Sequence, residues 1–200
     1  MPQKLLFNQS TSMKKIGFFG GSFDPIHFGH LNFALEIFER CGLDEILFCP
    51  AFCSPFKTDS PPLASPEHRL EMLKRSIAAI PHFRVTAIEL ERGGASFTVE
   101  TLRKLQQPGA SYRLLLAEEA ALHFDRWKEP EEILRLAPPI VGTRTGTALK
   151  GPLAKAVVKI PLFDLSSTGV KERLKKKLYC GHLVPGKALD YIAQHDLYSP

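Results

Sequence analysis

No uninterrupted apolar stretch in this sequence approaches the roughly 18 residues that a membrane-spanning helix needs, and the N-terminus lacks the continuous apolar segment of a secretory signal. A soluble, cytoplasmic protein with no membrane partner is therefore expected. Cysteine is sparse: Cys41, Cys49, Cys53 and Cys180 contain no Cys-x-x-C pair, which argues against a disulfide framework or a zinc knuckle and for buried reduced thiols. Neither Gly-x-Gly-x-x-Gly nor Gly-x-x-x-x-Gly-Lys-Ser/Thr occurs, so the common dinucleotide and Walker phosphate loops are excluded. Nor does one sign of charge dominate. The 26 Lys and Arg against 21 Asp and Glu leave a net charge of +5, a mild excess that favours anionic partners such as nucleic acid, nucleotides or phosphorylated metabolites.

What is present is a chain of 200 residues, 44% hydrophobic, long enough to bury a sizeable core as one domain. Apolar β-type runs alternate with amphipathic segments, the pattern of an α/β, Rossmann-like, doubly wound and mostly parallel sheet between two layers of helices. Strands are predicted at 15–20, 45–50, 83–90, 112–116, 139–144 and 156–161. The first two flank a helix carrying Leu31, Ala34, Leu35 and Phe38. Ser65-Pro66-Glu67 opens a second helix over Leu70, Leu73, Ile77 and Ile80, and Thr98 is expected to cap a third over Val99, Leu102 and Leu105. Helices at about 168–178 and 187–198 close the chain. Residues 52–65 form a Pro- and Ser-rich loop, and residues 1–13 read as a poorly ordered extension preceding a domain over 14–200.

The chemistry concentrates after the first strand. Gly20-Gly21-Ser22-Phe23-Asp24-Pro25-Ile26-His27-Phe28-Gly29-His30 runs into the first helix, where unpaired N–H groups and the positive dipole end attract anions. The glycines let backbone approach a phosphate, and His27 and His30 can face the same anion. A metal reading of the two histidines is weak, because no third ligand follows at recognisable spacing: His68 lies inside an ordinary amphipathic helix. Ser166, Ser167 and Thr168 begin another helix and offer a second anion site, with Lys171 one turn on; Lys175 to Lys177 read as a solvated face.

The loop resembles the His-x-Gly-His nucleotidyltransferase superfamily, and within it the bacterial nicotinate-nucleotide adenylyltransferases, whose Gly-Gly-(Thr/Ser)-Phe-Asp-Pro-x-His-x-Gly-His pattern Gly20 to His30 reproduces. Leu165 to Lys171 is similar to their Ile-Ser-Ser-Thr-x-Ile-Arg. Arg92 to Leu102, Phe124 to Trp127 and the Leu183 to Tyr198 ending resemble further segments of that family. Departures occur where Pro-Pro-His-Lys becomes Ser54-Pro55-Phe56-Lys57, where Gly-x-Asp becomes Ala117-Glu118-Glu119, and where the final Arg becomes Lys171, a point charge without the guanidinium fork.

The resemblance implies attack of the phosphate of nicotinate mononucleotide on the α-phosphorus of ATP, giving a dinucleotide and pyrophosphate. Such a nucleophile is already anionic, so positioning and charge stabilisation suffice without a general base. His27 and His30 are the expected catalytic contacts, with Gly20, Gly21, Ser22, Phe23, Ser166, Ser167, Thr168 and Lys171 on the ATP side. The resemblance puts Lys57, Phe97, Thr98, Glu119 and Trp127 on the mononucleotide side. Mg²⁺ is expected to travel with the phosphates, keeping several waters and needing no protein cage. The alternatives are a sibling enzyme using nicotinamide mononucleotide or phosphopantetheine and a degenerate nucleotide binder. A nucleic-acid module, with affinity falling steeply with salt, is a further reading, and no nucleic-acid partner is expected.

Overall fold

Lys14–Gly21 extends as strand β1 because its side chains serve two cores: Ile16 and Phe18 enter one and Phe19 the other. The computed structural model describes residues 13–56, 61–144 and 149–200. The extension expected before the first strand lies outside them, except for exposed Met13. The other strands are β2 (Glu45–Pro50), β3 (Phe83–Val85), β4 (Ala110–Ala117), β5 (Ile140–Thr143) and β6 (Val157–Lys159). All pair in parallel in the order β3-β2-β1-β4-β5-β6. This is the Rossmann order, and it reverses direction between β1 and β4, opening a crevice at the carboxyl ends of those two strands.

Helices cover both faces. One core gathers α1 (Phe28–Arg40), α2 (Pro66–Ile77), α7 (Ser167–Lys175) and α8 (Gly186–Gln194). The other gathers α4 (Thr98–Leu105), α5 (Glu118–Leu122) and α6 (Pro130–Leu136). The expected three-layer arrangement is thus what forms. Helix α1 lies close on β5 because Gly142 has no side chain: a Cβ there would meet the Phe33 ring at 2.6 Å.

Some local expectations give way. On α1 Ala34 is buried as expected and Leu31 and Phe38 pack partly buried against the same core, but Phe33 and Ile37 fill its centre and Leu35 stays 40% exposed. The strand expected over 83–90 ends at Val85, where the Thr86 hydroxyl accepts the Ile88 N–H and turns the chain into the short helix α3 (Ile88–Arg92). Thr98 does not cap α4. Phe97 holds the cap position without a side-chain bond, and Thr98 is the first helical residue. Helices α5 and α6 span only 5 and 7 residues, too few to show a helical period in sequence.

Candidate active site

The crevice begins with a helix cap. His27 ends the glycine-rich loop in extended backbone, φ −146° and ψ 169°, and caps α1. Its Nδ1 accepts the His30 N–H at 3.3 Å, and the His30 Nδ1 accepts the His27 N–H at 3.3 Å. This reciprocal arrangement has the geometry of a capping box, with imidazoles in place of hydroxyl and carboxylate. An Nδ1 that accepts cannot carry a proton, so each neutral ring carries it on Nε2 and has a donor on its far side. The rings stack, centroids 3.7 Å apart and 23° between planes. Burial pushes the His27 pKa down to about 4, and a neutral ring is what this stack accommodates at neutral pH. The rings of His30 and Phe23 meet edge to face, centroids 5.1 Å apart and 70° between planes. Gly29 completes the motif, because an added Cβ would sit 3.0 Å from the His27 ring and 3.3 Å from the Leu165 Cβ.

Beneath the loop lies a buried network that the sequence did not announce. Asp24, 3% exposed, accepts the N–H groups of Leu63 and Ala64, the Tyr198 hydroxyl at 2.8 Å and the Lys171 ammonium at 2.9 Å. Burial alone would raise its pKa. The bonds from Lys171, Leu63, Tyr198 and Ala64 outweigh that and hold it below the ordinary aspartate value. Arg69, 1% exposed, donates to the carbonyl oxygens of Ser22, Ala51, Phe52 and Ala64. The two side chains therefore tie the loop after β1 to the chain following β2 and to the start of α2. Phe23 sits between them at φ 47°, a left-handed conformation uncommon for a bulky residue and held by its complete burial. The only sequence signals were an Asp in a loop and an Arg on the apolar side of a helix.

Helix α7 brings its N-terminus to the same place. The Ser167 hydroxyl donates to the Pro25 carbonyl at 3.0 Å, while Ser166 caps the helix by accepting the Gly169 N–H. Two helix N-termini thus meet at the glycine-rich loop, a concentration of positive dipole suited to a polyphosphate. The hydroxyls of Ser166 and Ser167 are engaged in this junction, so the chain offers an anion the dipole and the Lys171 charge more than these hydroxyls. Lys171 is 21% exposed, between Asp24 and solvent.

Beside this end runs a cleft of about 720 Å³. Of the residues expected at the site, Gly20, Gly21, Ser22, Phe97, Thr98, Glu119 and Trp127 line it. His27, His30, Phe23, Ser166, Ser167, Thr168 and Lys171 do not, and belong to the junction of α1 and α7. Lys57 lies outside the described residues. Glu119 stands exposed in the first turn of α5, following β4 across the crevice from the glycine-rich loop. The wall also contains two residues not expected from the sequence: Glu89, 3% exposed and bonded by the Thr101 hydroxyl at 2.7 Å, and Ser96, whose hydroxyl accepts the Phe52 N–H. Among the described residues no three His, Cys, Asp or Glu side chains gather where they could hold a metal ion.

Comparison with known proteins places this geometry. The cytidylyltransferase-like family matches residues 18–173. The nicotinate-nucleotide adenylyltransferase of Bacillus subtilis is 37% identical over 188 residues, covering 93% of this chain and 99% of its own. The probable nicotinate-nucleotide adenylyltransferase of Salinibacter ruber is 38% identical, covering 92% and 98%. Among solved structures, the Plasmodium falciparum nicotinic acid mononucleotide adenylyltransferase complexed with NaAD superposes with a TM-score of 0.74 at 20% identity, over 92% of this chain and 97% of that one.

Proposed function

Because the chain belongs to the nicotinate-nucleotide adenylyltransferase family within the cytidylyltransferase-like proteins, we infer that its crevice is built for adenylyl transfer and assign its residues accordingly. The reaction joins ATP and nicotinate mononucleotide into nicotinate adenine dinucleotide and releases pyrophosphate, a step of NAD biosynthesis. A phosphate oxygen of the mononucleotide forms a bond to the α-phosphorus, and the bond from that phosphorus to the β-phosphate oxygen breaks. The attacking phosphate is an anion at neutral pH, so no side chain has to remove a proton from it.

The carrying observation is the reciprocal cap of His27 and His30. It holds both imidazoles with Nδ1 accepting and Nε2 on the far side as the protonated nitrogen, at a helix N-terminus, so that the rings are oriented before the transition state forms. These two donors meet the phosphates where charge develops. Gly20, Gly21, Ser22 and Phe23 bring backbone to the same phosphates, and the start of α7, Ser166 to Thr168 with Lys171, receives the pyrophosphate. The cleft from Gly21 to Trp127 receives the mononucleotide, with Phe97, Thr98 and Glu119 on its walls. Lys57 is the cation assigned to the mononucleotide phosphate.

A divalent cation, Mg²⁺ being the ordinary companion of ATP, offsets charge on the triphosphate when bound. Asp24 is saturated by its four partners and no other acidic cluster faces the loop among the described residues, so phosphate oxygens and water would hold that ion.

Pyrophosphate release from ATP and Mg²⁺ tests the assignment, with nicotinate mononucleotide, nicotinamide mononucleotide and phosphopantetheine offered separately. Release with nicotinate mononucleotide is expected. Release only with another acceptor would move the chain to a sibling activity, and none with any would leave a nucleotide binder.

A further inference from the structure

Helix α4 starts without a side-chain cap, yet its start forms a wall of the cleft, where Ser96, Phe97 and Thr98 all line the space. Two anchors outside the cap hold that start in place. On one side the Ser96 hydroxyl accepts the Phe52 N–H at 2.9 Å and the Ser96 N–H donates to the Cys53 carbonyl at 2.8 Å, tying the wall to the chain after β2. On the other side stands Thr101, one turn into the helix and fully buried. Its hydroxyl has two acceptors in range, the Glu89 carboxylate at 2.7 Å and the Phe97 carbonyl at 3.4 Å, and a single proton to give. The shorter, charge-assisted bond takes it. The same oxygen accepts the Arg92 Nη1–H at 3.2 Å, so one hydroxyl of α4 joins a cation and an anion of α3.

The partners of this hydroxyl are themselves enclosed. Glu89 is buried and lines the cleft. Beside it Cys49, buried near the end of β2, keeps a protonated thiol, because burial pushes its pKa up and the Glu89 charge adds to that push. Arg92 Nε and Nη2 find no hydrogen-bond partner among the described residues, and Glu100 lies 3.8 Å from Nη1, so the bond to Thr101 is what orients the guanidinium.

Resting on the acceptor assigned above, we propose that Glu89 and Thr101 are positioning residues of the acceptor side: their bond, steadied by Arg92, sets where Phe97 and Thr98 stand in the wall that receives the mononucleotide. Thr98 and Thr101 are three positions apart on one helix and share a face, so a shift at Thr101 is carried to Thr98. A buried carboxylate deprived of its hydroxyl donor costs more than the net worth of the bond, which holds α3 and α4 at one separation. The glycine-rich loop on the ATP side is fixed by a different set of bonds, those of Asp24 and Arg69, so loosening α4 disturbs one substrate and spares the other.

The full-length wild type, Thr101→Val, Thr101→Ser and Glu89→Gln are compared by pyrophosphate release, with ATP and nicotinate mononucleotide each varied at saturating levels of the other, and by melting temperature. Valine keeps the branched shape and removes the hydroxyl. KM for the mononucleotide should rise about tenfold in Thr101→Val, less than a full ångström of misplacement causes, with KM for ATP and kcat close to the wild type. Serine restores the hydroxyl, so Thr101→Ser should return the mononucleotide KM close to the wild-type value even where the lost methyl lowers the melting temperature. Glu89→Gln keeps an accepting oxygen and removes the charge, so its rise should be smaller.

A Thr101→Val protein with a lower melting temperature and an unaltered mononucleotide KM would make the pair structural alone and overturn the proposal. Equal rises in both KM values would do the same, and so would a Thr101→Ser protein as weak as Thr101→Val, which would assign the effect to packing. If Thr101→Val does not fold, Glu89→Gln decides on the same readout; if neither folds, the pair is a scaffold and the proposal fails. A wild-type protein that releases no pyrophosphate with nicotinate mononucleotide overturns the acceptor assignment and the proposal with it, whereas an active wild type with unaffected variants overturns the proposal alone.

Discussion

His27 and His30 cap each other: each imidazole accepts the other's backbone N–H at 3.3 Å, and the rings stack at 3.7 Å. The pair therefore does two separable jobs, starting a helix and presenting two Nε2–H donors.

Substitution separates them. His27→Ala or His30→Ala is expected to lower turnover by about a hundredfold or more, the scale of losing one preorganised donor to developing charge. His27→Asn restores a competent N-cap, so its melting temperature should stay near the wild type while turnover stays low. Steady-state kinetics with thermal denaturation decides the matter, and recovery of turnover in His27→Asn would assign His27 to capping alone.

The same burial gives the fold a pH signature. The His27 pKa falls from 6.5 to about 4 on folding. Above pH 6.5 the ring is neutral in both states and stability is complete. Between about pH 6.5 and 4 the unfolded chain takes up a proton that the folded chain refuses, so stability is lost as pH falls, by about 3 kcal/mol across the window. Denaturant unfolding at several pH values should show this slope in the wild type and a shallower one in His27→Asn. Equal slopes would place the ring in a more solvated setting.

Gly29→Ala probes the close approach directly. Alanine favours a helix over glycine by up to about 1 kcal/mol, yet the new Cβ would press on the His27 ring at 3.0 Å. Stability is expected to change by less than about 1 kcal/mol while turnover falls at least several-fold. Unchanged kinetics would mean that the ring can shift without cost to the reaction.

Asp24→Asn should be among the more damaging single changes. The amide nitrogen cannot accept the N–H bonds that one carboxylate oxygen now takes, and Lys171 loses its counter-charge. A loss of about 3 to 5 kcal/mol is expected, against about 1 kcal/mol for Tyr198→Phe, which removes one hydrogen bond and leaves the ion pair. Chemical denaturation of both variants measures the difference, and similar losses would show that the ion pair contributes little.

Much of the fold and half of the site were legible in the chain. Strong apolar periodicity announced β1, β2, β4 and the helices α1, α2 and α4, and the run from Gly20 to His30 marked its own turn and helix start. Segments of 5 or 7 residues such as α5 and α6 carry too few positions for a period, and the Thr86 turn that ends β3 rests on one hydroxyl bond. Lys171 was readable as a cation for phosphate, but its partner Asp24 lies 147 residues earlier and is joined to it only by folding.

Local chemistry is what the sequence determined by itself: where a glycine-rich loop runs into a helix start, which of its side chains carry donors, and that strands and helices alternate. Those properties depend on neighbours within a few positions, where spacing fixes geometry. Only the tertiary structure decided that two helix N-termini meet at one loop, that Asp24 and Arg69 bind the loops from beneath, and that Ser96 holds the chain after β2. These relationships join residues far apart in the chain. They are set by the strand order and by the need to satisfy buried polar groups, neither of which leaves a local pattern to read.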